Sequence, residues 1–256
     1  MTYWDMLGKR CQTYLDNYGY ENFKRTVGVV YNDYYLNYET MKLDDDYNEK
    51  LFNIWERMYQ VFPKDFLDQF QEPLSGNPLS IIYGGRPVSI DLAASISELC
   101  LLTTNIDFNT VKTIHEIGGG YGRLAYVIKQ IFPHIKYRMF DIEPSLGLAK
   151  RYLNDVIVNC DVEFYPTEEL TENCDILIAM DCLHEMNVEQ VERYFKYAEE
   201  KAKFFYYTCW KETDVPEHGI KWLREDYPVR QSWEPISVGQ HRMRTQFFEA
   251  LYKCQK

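Results

Sequence analysis

Two stretches of the chain hold residues whose types and spacing suit chemistry. The first is His115-Glu116-Ile117-Gly118-Gly119-Gly120-Tyr121-Gly122-Arg123. Glycines let a backbone turn tightly and approach a ligand closely. In an open α/β sheet, ligands bind in the crevice outside the carboxyl ends of the strands. A dinucleotide pattern Gly-x-Gly-x-x-Gly begun at Gly118 would need Gly or Ala at 123, where Arg123 stands. The spacing is instead Glu116-x-Gly118-x-Gly120-x-Gly122. Asp141 closes the next apolar segment, where a carboxylate can accept both hydroxyls of a ribose. A tight strand–helix turn without a ligand is the plain alternative.

The second stretch runs from Asp175 through an apolar segment to Met180, then Asp181-Cys182-Leu183-His184-Glu185. A strand ending near Met180 would deliver Asp181, His184 and Glu185 to the same crevice within one or two turns. Imidazole titrates near neutral pH and is the natural general base there. Asp181 is a candidate substrate ligand. A histidine that merely caps or packs is the competing reading.

The elements needed to hold these residues are visible in the periodicity. Residues 1–110 read as helices broken by loops, with helical spacing over 3–18, 48–60 and 89–104 and a Pro- and Gly-bearing connector over 71–87. From 111 the pattern alternates. Strands are expected at 113–117, 137–140, 162–165, 175–180 and 204–208, and helices at 121–132, 144–153 and 188–201. Asn187 with Gln190 forms a capping-box pair before the last helix. Segments 231–236 and 243–251 suit an antiparallel hairpin at one edge. The fold class expected is α/β, a doubly wound, mostly parallel sheet (residues 111–256) with an N-terminal helical lobe (residues 1–110) covering the crevice.

Composition narrows the partners. A formal charge of −11 repels phosphate backbones and anionic lipid, so neither nucleic acid nor a membrane surface is expected as a partner. Seven cysteines without a Cys-x-x-Cys pair suggest a reduced, cytoplasmic protein, and the first residues lack the charge and apolar run of a signal peptide. The 22 tyrosines suit amphipathic helix faces, a lined ligand cleft or the interface of a homo-oligomer.

The glycine loop with the acid after strand two resembles class I S-adenosylmethionine-dependent methyltransferases. The stretches 115–124 and 140–146, with the segment from Gly84-Gly85-Arg86 to Leu101, are similar to the bacterial sugar O-methyltransferases found with surface-polysaccharide genes. The resemblance implies a Rossmann-like domain over 111–256 and S-adenosylmethionine as cofactor. Gly118, Gly120 and Gly122 would then lie against its methionyl part, Asp141 on its ribose, Ile142 beside the adenine and Glu168 (or Thr167) near the adenine amine. Glu116, Gly119, Tyr121 and Met180 complete that set. The Leu183-His184-Glu185 segment resembles the His-Asp pair of plant phenolic O-methyltransferases, which implies His184 as base with Glu185 in place of the aspartate.

The implied reaction is methyl transfer to a hydroxyl of a sugar or nucleotide-linked sugar. Arg86, Arg123, Arg242, His241 and Arg244 are candidate contacts to a diphosphate, and Tyr83, Tyr121 and Trp210 candidate stacking surfaces. Metal-dependent relatives carry an Asp-Asn-type pair after strand five, where this chain has Thr208-Cys209-Trp210-Lys211-Glu212. No metal is expected, though Asp181, His184 and Glu185 leave an unconventional site open. Another small acceptor (an amine, a phenol or a phosphorus-linked group) and a non-catalytic assembly protein are the rival readings.

Overall fold

The computed structural model describes residues 3–26, 36–37, 42–43 and 46–254. Its elements are α1 (Tyr3–Tyr18), α2 (Tyr47–Val61), the hairpin β1 (Ser80–Tyr83) and β2 (Arg86–Ser89), and α3 (Ile90–Asn105). There follow β3 (Thr113–Ile117), α4 (Arg123–Ile131), β4 (Lys136–Asp141), α5 (Ser145–Val156), β5 (Glu163–Pro166), β6 (Cys174–Met180) and α6 (Val188–Lys201). The chain ends with β7 (Ala202–Trp210), a hairpin of β8 (Glu212–Val215) and β9 (Ile220–Leu223), then β10 (Glu234–Gln240) and β11 (Phe247–Lys253). Short helical turns at Phe23–Thr26 and Lys64–Leu67 and a two-residue bridge pair, Leu36–Asn37 with Lys42–Leu43, complete the described lobe.

Seven strands form the central sheet in the order β10-β11-β7-β6-β3-β4-β5. Strands β3 to β7 pair in parallel, and β11 runs antiparallel to both β7 and β10. The expected α/β architecture is therefore present, as is the edge hairpin. Strand order reverses at β3, whose two neighbours are β4 and β6, and this opens the crevice. Register makes the strand ends coincide: Ile117 pairs with Phe140 on one side and Ala179 on the other. Gly118, Asp141 and Asp181 consequently leave the sheet at one edge.

Local sequence explains most boundaries. Ser89 caps α3 by accepting from the Leu92 N–H at 3.0 Å. Asn187 and Gln190 make the full capping box of α6. Helix α4 starts at Arg123 rather than Tyr121 because Gly122 adopts φ 89°, a left-handed conformation open to glycine. The connector 71–87 holds one strand of a hairpin and the start of the other, turned by Gly84 and Gly85 at positive φ. The closing hairpin lies a few residues C-terminal to the expected segments, because His241 and Arg244 turn inward and are buried.

The core occupies both faces of the sheet. One cluster joins Trp55, Ile96, Leu99, Leu124, Tyr137 and Tyr152, so the N-terminal helices and the sheet share apolar packing. The other sets Phe195 of α6 against Phe205, Tyr207 and Trp233.

A charged cluster is enclosed where α3, α4, β6 and the β10–β11 loop converge. Arg123 donates two bonds to Glu98, at 2.8 and 2.9 Å, and one to Ser95 at 2.7 Å. Arg244 bonds Asp181 and reaches Glu98 at 3.3 Å. Arg123 approaches Asp181 at 3.7 Å, and His241 Nε2 stands 3.6 Å from Glu98. Burial works against ionisation of Glu98, yet Arg123, His241 and Arg244 hold its carboxyl below the ordinary range.

Two stability predictions follow from this architecture. Glu98→Leu leaves two guanidinium groups to share Asp181 alone and should lower stability by about 3–5 kcal/mol in urea unfolding. Asn187→Ala, which removes only a cap, should cost about 1 kcal/mol and move Tm by roughly 2–4 °C in calorimetry.

Candidate active site

The glycine loop leaves β3 with Gly118 at φ 65°, and a Cβ there would lie 2.5 Å from the Cβ of Cys182. Only glycine lets the loop and the turn after β6 approach so closely. A Cβ at Gly120, by contrast, would meet nothing within 4 Å, so the crevice above that residue is open. Beneath the loop, Glu116 accepts from the Tyr137 hydroxyl at 2.8 Å, and burial pushes its carboxyl up to about 7.

Asp141 ends β4 and is buried. Its carboxylate accepts from the Gly120 N–H at 2.9 Å and the Ile142 N–H at 2.7 Å. Burial raises it to about 6 despite those two donors. A carboxylate has roughly four acceptor sites, so the two N–H bonds leave capacity for two hydroxyl donors. Beside it lies a cavity of about 390 Å³, lined by Asp141, Ile142, Leu146, Phe164, Pro166 and Glu168 among others. Apolar walls, a ribose-competent carboxylate at one end and an exposed Glu168 on the turn after β5 suit an adenosine. The donor set and the opening over Gly120 therefore fit S-adenosylmethionine.

On the other side of the loop, Asp181 takes φ 55°, unusual for a residue with a side chain. Its carboxylate is held by Arg244 and the Thr208 hydroxyl. Burial alone would raise it, but Arg244 first and Arg123 next bring it down to about 2. So firmly paired, Asp181 is an unsuitable proton acceptor. A short helical turn, Leu183–Glu185, then sets out His184 and Glu185. The His184 ring sits edge-on to Trp210 and Phe247, with centroids at 6.4 and 6.3 Å. Burial lowers the imidazole to about 4, so it is neutral at pH 7. Its Nδ1 is buried without a protein partner. Glu185 is half-buried and raised to about 8, by burial first and then by Asp181 and Asp141, while the Trp4 indole donates to it.

The structure thus brings Gly120, Asp141, Ile142 and Glu168 together around one cavity, with Gly118 against Cys182 and Glu185 near Asp141, while His184 stands beside Trp210 and Phe247. Other expected site residues are engaged elsewhere. Tyr121 turns its side chain into the core, donating to Asp91 at 2.7 Å. Arg86 bonds the carbonyls of Leu67 and Phe70, and Tyr83 bonds Glu56 while its ring stacks on Tyr59. Both spend their polar atoms within the lobe. Arg123 and Arg244 are occupied by Glu98 and Asp181, whereas Arg242 is exposed. Among the described residues no group of three or more His, Cys, Asp or Glu side chains is arranged to hold a metal ion. No described helix is long and apolar enough to cross a membrane.

Sequence reasoning missed Glu98 and Trp4. A lone acid directly before the apolar run Leu99-Cys100-Leu101-Leu102 was the available signal for Glu98. Trp4 offered none, because nothing local ties α1 to the crevice.

Residues 90–201 match the family model of an O-methyltransferase domain. No curated protein matches the sequence. Among solved structures, mitomycin 7-O-methyltransferase MmcR superposes with TM-score 0.51 at 14% identity, covering 64% of this chain and 54% of that one. The PH0226 protein from Pyrococcus horikoshii gives 0.53 at 11% identity over 78% and 99% of the two chains. An S-adenosylmethionine-dependent methyltransferase from Clostridium acetobutylicum gives 0.50 at 10% identity over 66% and 93%. The chain spans about half the length of the mitomycin enzyme, and at these identities the likeness speaks to the fold. The likeness to these solved structures places the chain on their fold, and residues 90–201 are similar to an O-methyltransferase domain.

Proposed function

We propose that the chain is an O-methyltransferase acting on a hydroxyl of a small uncharged acceptor, a sugar being the class that fits best. The observation that carries this reading is the turn after β6, in which Cys182 packs against Gly118 and His184 and Glu185 follow within three residues. When bound, S-adenosylmethionine supplies a methyl group on a sulfonium, open to in-line displacement by an oxygen.

The chain's own residues supply position and a proton acceptor. The loop Gly118–Gly122 and Asp141 fix the cofactor, and Trp210 offers a face on which an acceptor ring can lie beside His184. The neutral imidazole of His184 takes the hydroxyl proton. Weak basicity is sufficient, because the oxygen becomes strongly acidic as its new bond to carbon forms. Glu185 lies next to it in the turn.

Charge separates a free sugar from a nucleotide-linked one. A diphosphate is best gripped by an arginine fork, but Arg86, Arg123 and Arg244 all face partners of their own, which leaves Arg242 alone of the four candidate arginines. Segment 27–45 contributes one lysine and no arginine. A neutral glycoside therefore fits the crevice better than a nucleotide sugar. A phenol is the second reading, supported by the aromatic wall of Trp210 and Phe247.

Calorimetric titration should show micromolar S-adenosylhomocysteine binding and none of NAD. Asp141→Ala should weaken it about tenfold or more, through loss of the ribose bonds. A screen of glycosides, nucleotide sugars and phenols by mass gain of one methyl group identifies the acceptor. With that acceptor, His184→Ala should lower kcat by roughly 10²–10⁴-fold. Retention of near-full turnover would remove His184 from the role of base.

A further inference from the structure

Helix α1 begins the chain, yet its buried face lies on the cofactor edge of the sheet. Trp4, Gly8 and Cys11, at helical spacing, are its buried residues. A Cβ built on Gly118 would lie 3.8 Å from Cζ2 of Trp4. Gly8 is pressed so close that its own Cβ would stand 3.1 Å from the Glu143 carbonyl oxygen and 3.4 Å from Cδ1 of Ile142. Further along, Cys11 bonds Ser145 and senses the charge of Asp141. The helix therefore spans the crevice from the glycine loop to the ribose carboxylate.

We propose that Trp4 is a positioning residue of the cofactor site: its indole, packed against Gly118, donates its N–H to the Glu185 carboxyl, which serves as counter-charge to the cofactor's sulfonium. This rests on the methyltransferase reading. The geometry brings a partly desolvated carboxyl, one polar donor and the loop for the methionyl end of the ligand to one point.

The groups facing Glu185 are Trp4 of α1, Asp141 at the end of β4, Asp181 and Cys182 after β6, and Cys209 of β7. None of them is cationic. With its carboxyl raised to about 8, Glu185 is mostly protonated at pH 7 in the free protein. A cation placed beside it favours the ionised form, so the proton leaves to solvent as the cation binds. S-Adenosylhomocysteine carries the same adenosine and amino acid with a neutral sulfide, and should not displace that proton. Affinity for S-adenosylmethionine should accordingly rise as pH approaches 8, and that for S-adenosylhomocysteine should stay level.

Calorimetry of both ligands at pH 7, in two buffers of different ionisation enthalpy, counts the protons released. Wild type should release most of one proton with S-adenosylmethionine and close to none with S-adenosylhomocysteine. Glu185→Gln should abolish the difference in proton release, which separates Glu185 from Glu116 and Asp141. Trp4→Phe, which keeps an aromatic ring but removes the N–H, should weaken S-adenosylmethionine about tenfold and S-adenosylhomocysteine about twofold. Equal weakening of the two ligands by Trp4→Phe, or proton release persisting in Glu185→Gln, would overturn the assignment. Binding of neither ligand to folded wild type would remove the methyltransferase reading and this inference together, a result distinct from equal weakening.

Discussion

Arg123 and Arg244 share two carboxylates, Glu98 and Asp181, in an interior where none of the four has free access to water. Two positive and two negative charges cancel, and each side chain comes from a different part of the chain. Removing any one of them leaves an uncompensated net charge in the cluster. Replacing all four by apolar groups of matched shape would not carry that penalty, so the value of such a cluster is registry rather than net stability. Only one arrangement of α3, α4, the end of β6 and the β10–β11 loop pairs every charge. The left-handed backbone at Asp181 is tolerated because its carboxylate is tied to Arg244 and Thr208. That residue sets the direction of the turn carrying His184 and Glu185, so a structural ion cluster decides where those two side chains stand. Arg123 directly follows Gly122, and the same cluster thereby fixes the glycine loop.

With Arg123 and Arg244 turned inward, three carboxyl groups stand around the glycine loop and the end of β4. Asp141, Glu116 and Glu185 all have their protons held more tightly than in water, burial being the main cause for each. Such a site lowers its own electrostatic energy by admitting a cation and raises it by admitting an anion. A sulfonium cofactor matches that preference, and a diphosphate does not.

The parallel sheet was legible because each strand and helix from 113 to 210 has its own periodicity, and Asn187 with Gln190 marks a helix start that the fold retains. The glycine loop and Asp141 were legible because the close approach of Gly118 to Cys182 and the bond from the Gly120 N–H to Asp141 constrain residue type at fixed spacing. Arginine roles were not legible. Arg86, Arg123 and Arg244 look the same in sequence whether they face a ligand or a carboxylate, and the partner of two of them, Glu98, is 25 residues or more away along the chain. Loop paths failed for a related reason: the β10–β11 turn is displaced by the inward pull on His241 and Arg244, a tertiary effect that overrides local propensity.

Helix α1 shows the same limit most clearly. Its amphipathic pattern predicts that one face is buried and cannot say against what. The answer, Gly118, Ile142 and Glu143, lies more than a hundred residues downstream. Tyr47, Trp55 and Ile96 likewise share one apolar cluster with Leu124, Tyr137 and Tyr152, so packing runs continuously across position 110. An N-terminal segment joined in this way is a wall of the crevice as well as a cover for it. Loosening α1 must therefore alter the dielectric around Glu185 and Asp141, and with it the charge that the site presents to its cofactor.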